Sequence, residues 1–198
     1  MPVTPVRSLT AEARRRQIVE ATIAVIAEEG FRQASFARIA ERAGLSSTRL
    51  ISYHFTNKEE LVWALVTTVV QAIGDDVGRR VLAETTSAGR LSAYIRGVVD
   101  HTARHRDAMQ ALLRVVLAGA LPAGTGVELT APGPLEALLR AGQAAGEFRD
   151  FDAAVVALTV QRAVETLPFL LEADPELDCD AFADELVTLF ALGTRRAA

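Results

Sequence analysis

Apolar positions recur along this chain at intervals of three and four residues with little sustained alternation, so the pattern predicts helix throughout and an all-α fold class. Thr10 is placed to cap a first helix whose Ile18, Ala21, Val25 and Ile26 share one face and which stops at Gly30. Ser35 caps a short second helix from Phe36 to Ala43, ended by Gly44, and Ser46 or Ser47 caps a third reaching about His54. Asn57 starts a long fourth helix, with Lys58, Glu59 and Glu60 in its first turn, that runs to Gly74 or Gly78. Further helices are read near 90–105, 107–121, 133–146, 152–172 and 178–195, about nine in all. Residues 1–9, with Pro2 and Pro5, are expected to be a loose arm, and the Gly/Pro-rich stretch 119–134 is read as a flexible loop and not a domain boundary.

Composition and charge sharpen this picture. Half of the 198 residues are hydrophobic, enough for real cores in a small domain joined to a larger one. A single cysteine, Cys179, cannot form an internal disulfide, and no basic-then-apolar leader is present, so a cytoplasmic location is expected. The longest apolar stretch, Leu61 to Ile73, is interrupted by Thr67, Thr68 and Gln71 and too short to span a bilayer, so no membrane partner is expected. The formal net charge of −4 argues against a nucleic-acid partner until it is divided: residues 1–60 carry nine Lys or Arg against seven Asp or Glu, net +2, and residues 61–198 carry twelve against eighteen, net −6. A mildly basic head on an acidic body suits a protein that touches phosphates at one end.

The segment FARIAERAGLSSTRLISYHF, residues 36–55, has the requirements of a helix-turn-helix. Ala40 is small where two helix backbones must approach, and Gly44, four positions later, accepts the positive φ of the turn. Ile39, Leu45 and either Leu50 or Ile51 close a small core behind the helices.

The run from Gly30-Phe31 through Ser35-Phe36, Ile39 to Ser46, Tyr53-His54-Phe55 and Lys58 to Leu61 resembles the DNA-binding region of the TetR (tetracycline-repressor) family, over about residues 10–61. GEFRDFDA at 146–153 resembles that family's lead into its dimerising helix. The stretch from Ser46 to Tyr53 is one residue longer than the commonest family spacing, and Ser52 stands where an aromatic is usual, which leaves the register of base-facing side chains open by one position. The resemblance implies a helix-turn-helix DNA-binding domain over residues 1–56 and a helical ligand-binding and dimerisation domain over 57–198. It also implies repression rather than activation, and an apolar or amphipathic small-molecule effector.

Physical chemistry assigns roles alongside. Ser35 with the first amides of helix two, and Lys58 at the start of helix four, are placed to hold phosphates. Ser47, Thr48 and Arg49, with Ser46 beside them, front helix three toward the major groove, and Arg49 suits a bidentate contact to guanine. Tyr53 and His54 meet the sugar-phosphate backbone, or Tyr53 packs in the small core. Arg38 and Arg42 contribute at the edges or are solvated helix-surface residues, and the same holds for Arg14, Arg15 and Arg16.

The remaining two-thirds carries no nucleophile-base-acid set, phosphate loop or Cys-rich pattern, so catalysis is not indicated. His101 and His105 at i, i+4, with Asp100 adjacent, have a spacing that can ligate zinc or nickel but lack a third ligand, so no metal or cofactor is assigned. Arg114, Gln161, Arg162 and Glu165 are polar residues inside apolar helices. With His101, Trp63, Tyr94, Met109 and Phe169 they are candidates for an effector pocket, the alternative being core aromatics and surface ion pairs. Val155, Val156, Leu158 and Val160 in one helix, and Phe182, Leu186, Leu189 and Phe190 in the last, give apolar faces wide enough to pair across a two-fold axis into a four-helix bundle. A homodimer would set two recognition helices about 34 Å apart on a palindromic operator, and an effector that shifts helix four would change that separation. Two alternatives stay open: a helix-turn-helix protein that binds DNA constitutively or activates, and a small helical enzyme or lipid carrier.

Overall fold

A computed structural model describes residues 9–121 and 133–196. The predicted arm falls outside them except for Leu9, and so does most of the predicted 119–134 loop. Ten helical segments are present among the described residues: α1 Leu9–Glu29, α2 Phe36–Arg42, α3 Arg49–His54, α4 Lys58–Ala83, α5 Ser87–Arg104, α6 Arg106–Leu117, α7 Gly133–Ala144, α8 Ala153–Glu165, α9 Leu167–Ala173 and α10 Cys179–Thr194. The chain packs as two units, Met1–Val70 with Asp107–Thr125 and Gln71–Arg106 with Gly126–Ala198.

Several helix boundaries differ from the sequence expectation, α6 for instance ending at Leu117 and not near 121, and three of the differences are instructive. Thr10 does not cap α1, which already includes Leu9. The fourth helix passes through both Gly74 and Gly78 to Ala83. Each glycine costs about 1 kcal/mol in a helix interior, but this stretch also carries Asp76, paired with Arg79 at 3.3 Å within the helix and with Arg104 of α5 at 2.6 Å. Arg80 pairs with Asp100 of α5 as well. The third difference is a break at Thr166 in the predicted helix 152–172. Pro168 has no N–H to donate and its ring crowds the carbonyl four residues back, so α8 ends and α9 begins with Pro168 in its first turn.

In the first unit α1 places Ile18, Val25 and Ile26 in the core with Ile39, Ile51 and Phe55 of the α2–α3 region, and α4 adds Leu61, Leu65 and Val66. Two segments, Lys58–Ala83 and Ala153–Ala173, are long and apolar enough to cross a bilayer by length and composition. Both present buried faces to the helical cores: Leu61, Leu65 and Val69 from one, Ala157, Val160 and Val164 from the other.

The second unit closes around Leu91, Ile95 and Val99 of α5, Leu135 and Leu139 of α7, Val160 and Val164 of α8, and Phe190 of α10. The segment Gly146–Asp152 organises its helix ends. Gly146, at φ 72°, terminates α7, with its own N–H donating to Gln143 O and that of Glu147 to Gly142 O. The Glu147 carboxylate accepts from the Ser87 and Ala88 amides at 2.7 and 3.2 Å, capping α5, and these bonds hold its carboxyl below the usual range. Arg149 donates from Nε to Gly193 O at 2.7 Å at the end of α10, and Asp152 caps α8 through the Ala154 and Val155 amides. Between them Phe148 packs so closely on Gly142 that a Cβ there would meet its ring, and would lie 2.8 Å from Ser87 Cβ.

Candidate nucleic-acid interface

The turn that presents α3 is built from local rules. Ser35 sits in extended backbone and its Oγ accepts from the Arg38 amide at 3.3 Å, so α2 starts where the sequence places it. At the other end Gly44 takes φ 64°, its N–H donating to Glu41 O at 3.1 Å while Leu45 N donates to Ala40 O at 2.8 Å. This is a Schellman motif, whose left-handed residue an L side chain adopts only at a cost. Ala40 is buried, as close helix approach requires. Ser47, not Ser46, supports the start of α3: its Oγ accepts from Arg49 N at 3.0 Å and its carbonyl from Leu50 N at 3.2 Å. Thr48 holds the N-cap position without a side-chain bond.

α1 and the start of α4 hold this unit in place. Gln17 Nε2 donates to Ala43 O at 2.7 Å. Arg15 lies 4.0 Å from the centre of the Phe55 ring, donates to His54 O at 2.6 Å and pairs with Glu60 at 3.3 Å. Glu60 in turn accepts from Thr56 N at 2.8 Å, and donates its own amide to Asn57 Oδ1 at 2.8 Å. The Thr56 amide is the main cause of a Glu60 carboxyl held below its usual range. Sequence reasoning foresaw the Asn57 cap but not the joining roles of Gln17, Arg15 and Glu60, which depend on contacts between residues 26 to 45 positions apart.

Of α3, Ile51 is fully buried and Phe55 follows it into the core, which settles the choice between Leu50 and Ile51: Leu50 is 38% exposed. Tyr53 is 81% exposed, so it does not pack in the small core; its ring meets that of His54 edge-on at 5.1 Å. Ser46, Ser47, Thr48, Arg49 and Ser52 are also exposed, so the residues proposed to face bases share one open surface. Among the described residues Arg49 has no carboxylate partner.

The other candidate cations are engaged. Arg38 is held by both oxygens of Glu29, at 2.6 and 3.1 Å, and by Glu41 at 2.7 Å; hydrogen bonding to Glu29 is the chief cause that raises its pKa. Arg42 pairs with Glu28. Lys58 donates to Phe31 O at 3.0 Å with its ammonium 4.3 Å from the centre of the Phe31 ring, and burial holds it below the usual lysine range. A phosphate contact would have to draw Lys58 from that carbonyl. The same two residues line a cleft of about 330 Å³ with Val62 and Leu121.

The candidate pocket residues divide between the units. Trp63 (exposed), Met109 and Arg114 belong to the first, where Arg114 Nη1 lies 3.5 Å from Ile26 O. Tyr94, His101, Gln161, Glu165 and Phe169 belong to the second. There Gln161 donates to Glu165 at 2.9 Å and Arg162 pairs with the same carboxylate at 3.0 Å. The Tyr94 hydroxyl is pushed up to about 12, by burial first and by the negative charge of Glu165 second. His101 is buried with Nδ1 3.2 Å from Asp76, and its ring lies 4.4 Å from that of His105; burial lowers its pKa. Phe169 is exposed. A separate cleft of about 250 Å³ is lined by Leu91, Ile95, Phe148, Val187 and Leu192 and edged by Glu147.

Residues 18–65 match the family model of bacterial regulatory proteins of the tetR family. The transcriptional regulator BetI of Cronobacter sakazakii, described as HTH-type, is 37% identical over 102 residues, 50% of each chain, so the match spans about half the length of that relative. In fold, a regulatory protein of the tetR family from Rhodococcus RHA1 is similar with a TM-score of 0.81 at 18% identity, over 93% of this chain and 98% of that one. AibR, solved in complex with isovaleryl coenzyme A and operator DNA, gives 0.76 at 21% identity, over 89% and 97%. Residues 18–65 therefore form a helix-turn-helix segment of the tetR type, and the described residues share the fold of the solved tetR-family protein.

Proposed function

We propose that this chain is a DNA-binding transcriptional regulator that acts as a repressor, binds a palindromic operator as a homodimer and is released by a small-molecule effector. The observation that carries the proposal is the open face of α3: Arg49 without a carboxylate partner among the described residues and Tyr53 81% exposed, on a helix whose other side is anchored by Ile51. Ser35, Arg38, Ser46, Ser47, Thr48, Arg49, Tyr53, His54 and Lys58 form the proposed DNA surface, with bases read by α3 and phosphates held at the starts of α2 and α4. Residues 1–56 are the proposed DNA-binding domain and residues 57–198 the effector and dimerisation domain.

Dimerisation is supported by side chains left in solvent on α8 and α10. Val155 is 60%, Leu189 58% and Leu192 55% exposed, with Leu158 at 40%. Val160 and Phe190 are used inside the unit's own core, so the surface offered to a second copy is narrower than the sequence pattern suggested. The proposed effector site in the second unit centres on Tyr94, Gln161 and Glu165. An acyl-coenzyme A ligand is bound by the similarly folded AibR, which makes acyl thioesters the first class to screen. The relatives are transcriptional regulators, and we assign this chain to regulation rather than catalysis, in the cytoplasm.

The test is a titration of fluorescent random-sequence duplex at low salt, with sedimentation of the free protein. A dimer whose affinity falls log-linearly with salt supports the proposal. A monomer that leaves every duplex unbound contradicts it.

A further inference from the structure

Leu50 stands apolar and 38% exposed on a surface otherwise made of hydroxyls, a guanidinium and a phenol. Successive helix positions differ by about 100°. With Ile51 marking the inward side, Arg49 and Tyr53 therefore lie opposite it, and Leu50 and Ser52 flank them. The Leu50 amide donates to Ser47 O at 3.2 Å, so the side chain leaves from the first turn of α3, next to Arg49. The hydroxyls of Ser46, Ser47, Thr48 and Ser52 can exchange hydrogen bonds with many base edges. An isobutyl group can only gain by leaving water, and in the major groove the one apolar base-edge group is the thymine 5-methyl.

We propose that Leu50 is a specificity residue of this protein that reads thymine by packing on its 5-methyl group, beside the base contacted by Arg49. The inference rests on the DNA-reading function proposed above and adds to it a base and a chemical group. Leu50 then contributes discrimination between thymine and cytosine that no hydrogen-bonding neighbour supplies.

The probe is the duplex enriched by wild-type protein from a random pool, remade with deoxyuridine in place of each thymidine of one half-site in turn, which deletes single methyl groups and leaves base pairing intact. At one position wild-type protein should bind about fourfold more weakly, the size expected for one methyl lost from an apolar contact. Leu50→Ala should bind the thymine duplex more weakly and show no further loss with deoxyuridine at that position, while Leu50→Met, which keeps an apolar arm, should retain the sensitivity. Both variants replace a partly exposed side chain, and a thermal melt of each confirms that it is folded. Wild-type binding indifferent to every deoxyuridine, or a sensitivity that persists unchanged in Leu50→Ala, would overturn the assignment while leaving DNA binding intact. Failure to enrich any duplex would overturn the DNA-reading function itself, and this inference with it.

Discussion

Arg49 and its neighbours show what a residue's surroundings add to its identity. Arg38, Arg42 and Arg49 are equivalent as sequence, yet the first two are tied to Glu29, Glu41 and Glu28 while Arg49 has no such partner among the described residues. Arg49→Ala should therefore cost about 1–3 kcal/mol on the selected operator and relax preference at one position per half-site, changing affinity for random duplex far less. Parallel titrations of both duplexes check this, and equal loss on both would make Arg49 a phosphate contact. Asp76 offers a test in pH. Its carboxyl is held down to about 2, first by Arg104 and then by His101, against an ordinary value of 3.8. A depressed folded pKa means stability present above about pH 4 and lost as pH falls toward 2. Asp76→Asn should thus be less stable than wild type at pH 6, with the gap in denaturant midpoint closing between pH 4 and 2; a gap independent of pH would contradict the pairing. Ser35, Gly44 and Asn57 were legible in the sequence because caps and left-handed turns obey local rules. Leu50 against Ile51, Tyr53 and Lys58 were not, since each depends on which side of a helix meets residues distant in sequence.

At the scale of elements, the existence and type of the helices followed from periodicity, and errors arose where a local rule met a tertiary one. Gly74 and Gly78 looked like stops because no sequence pattern shows Asp76 and Arg80 pairing with α5. Pro168 was visible, but the helical spacing of Val160, Val164, Leu167 and Leu171 continues across it and hid the break. GEFRDFDA was recognisable only as a likeness; its physical content is the joining of the α5, α7, α8 and α10 ends through Glu147, Gly146, Asp152 and Arg149. Gly142→Ala should cost about 1–3 kcal/mol by driving a Cβ against Phe148, and Asp152→Ala about 1 kcal/mol through loss of the α8 cap. Urea unfolding measures both, and an unchanged midpoint for Gly142→Ala would mean that Phe148 is free to move.

For the whole molecule, the proposed two-fold arrangement would link exposed apolar positions on α8 and α10 to the reading of a palindrome. Val155→Glu combined with Leu189→Glu adds charge at two solvent-facing positions and leaves the buried residues untouched. Sedimentation should find a folded monomer, with affinity for the operator down more than about tenfold because two linked half-site contacts become independent. A variant that remains dimeric would place the interface elsewhere. The division of charge was legible in the sequence and agrees with DNA binding by the helix-turn-helix segment, whereas no short motif marks the proposed effector site, whose candidate residues are scattered through the chain.

The most direct test of the central claim is selection of binding sites from a pool of random duplexes by the purified protein. An enriched inverted repeat, with guanine and thymine fixed at corresponding positions in both halves, is the result expected of a dimer reading DNA through the open face of α3. A pool that stays random after repeated rounds would contradict it.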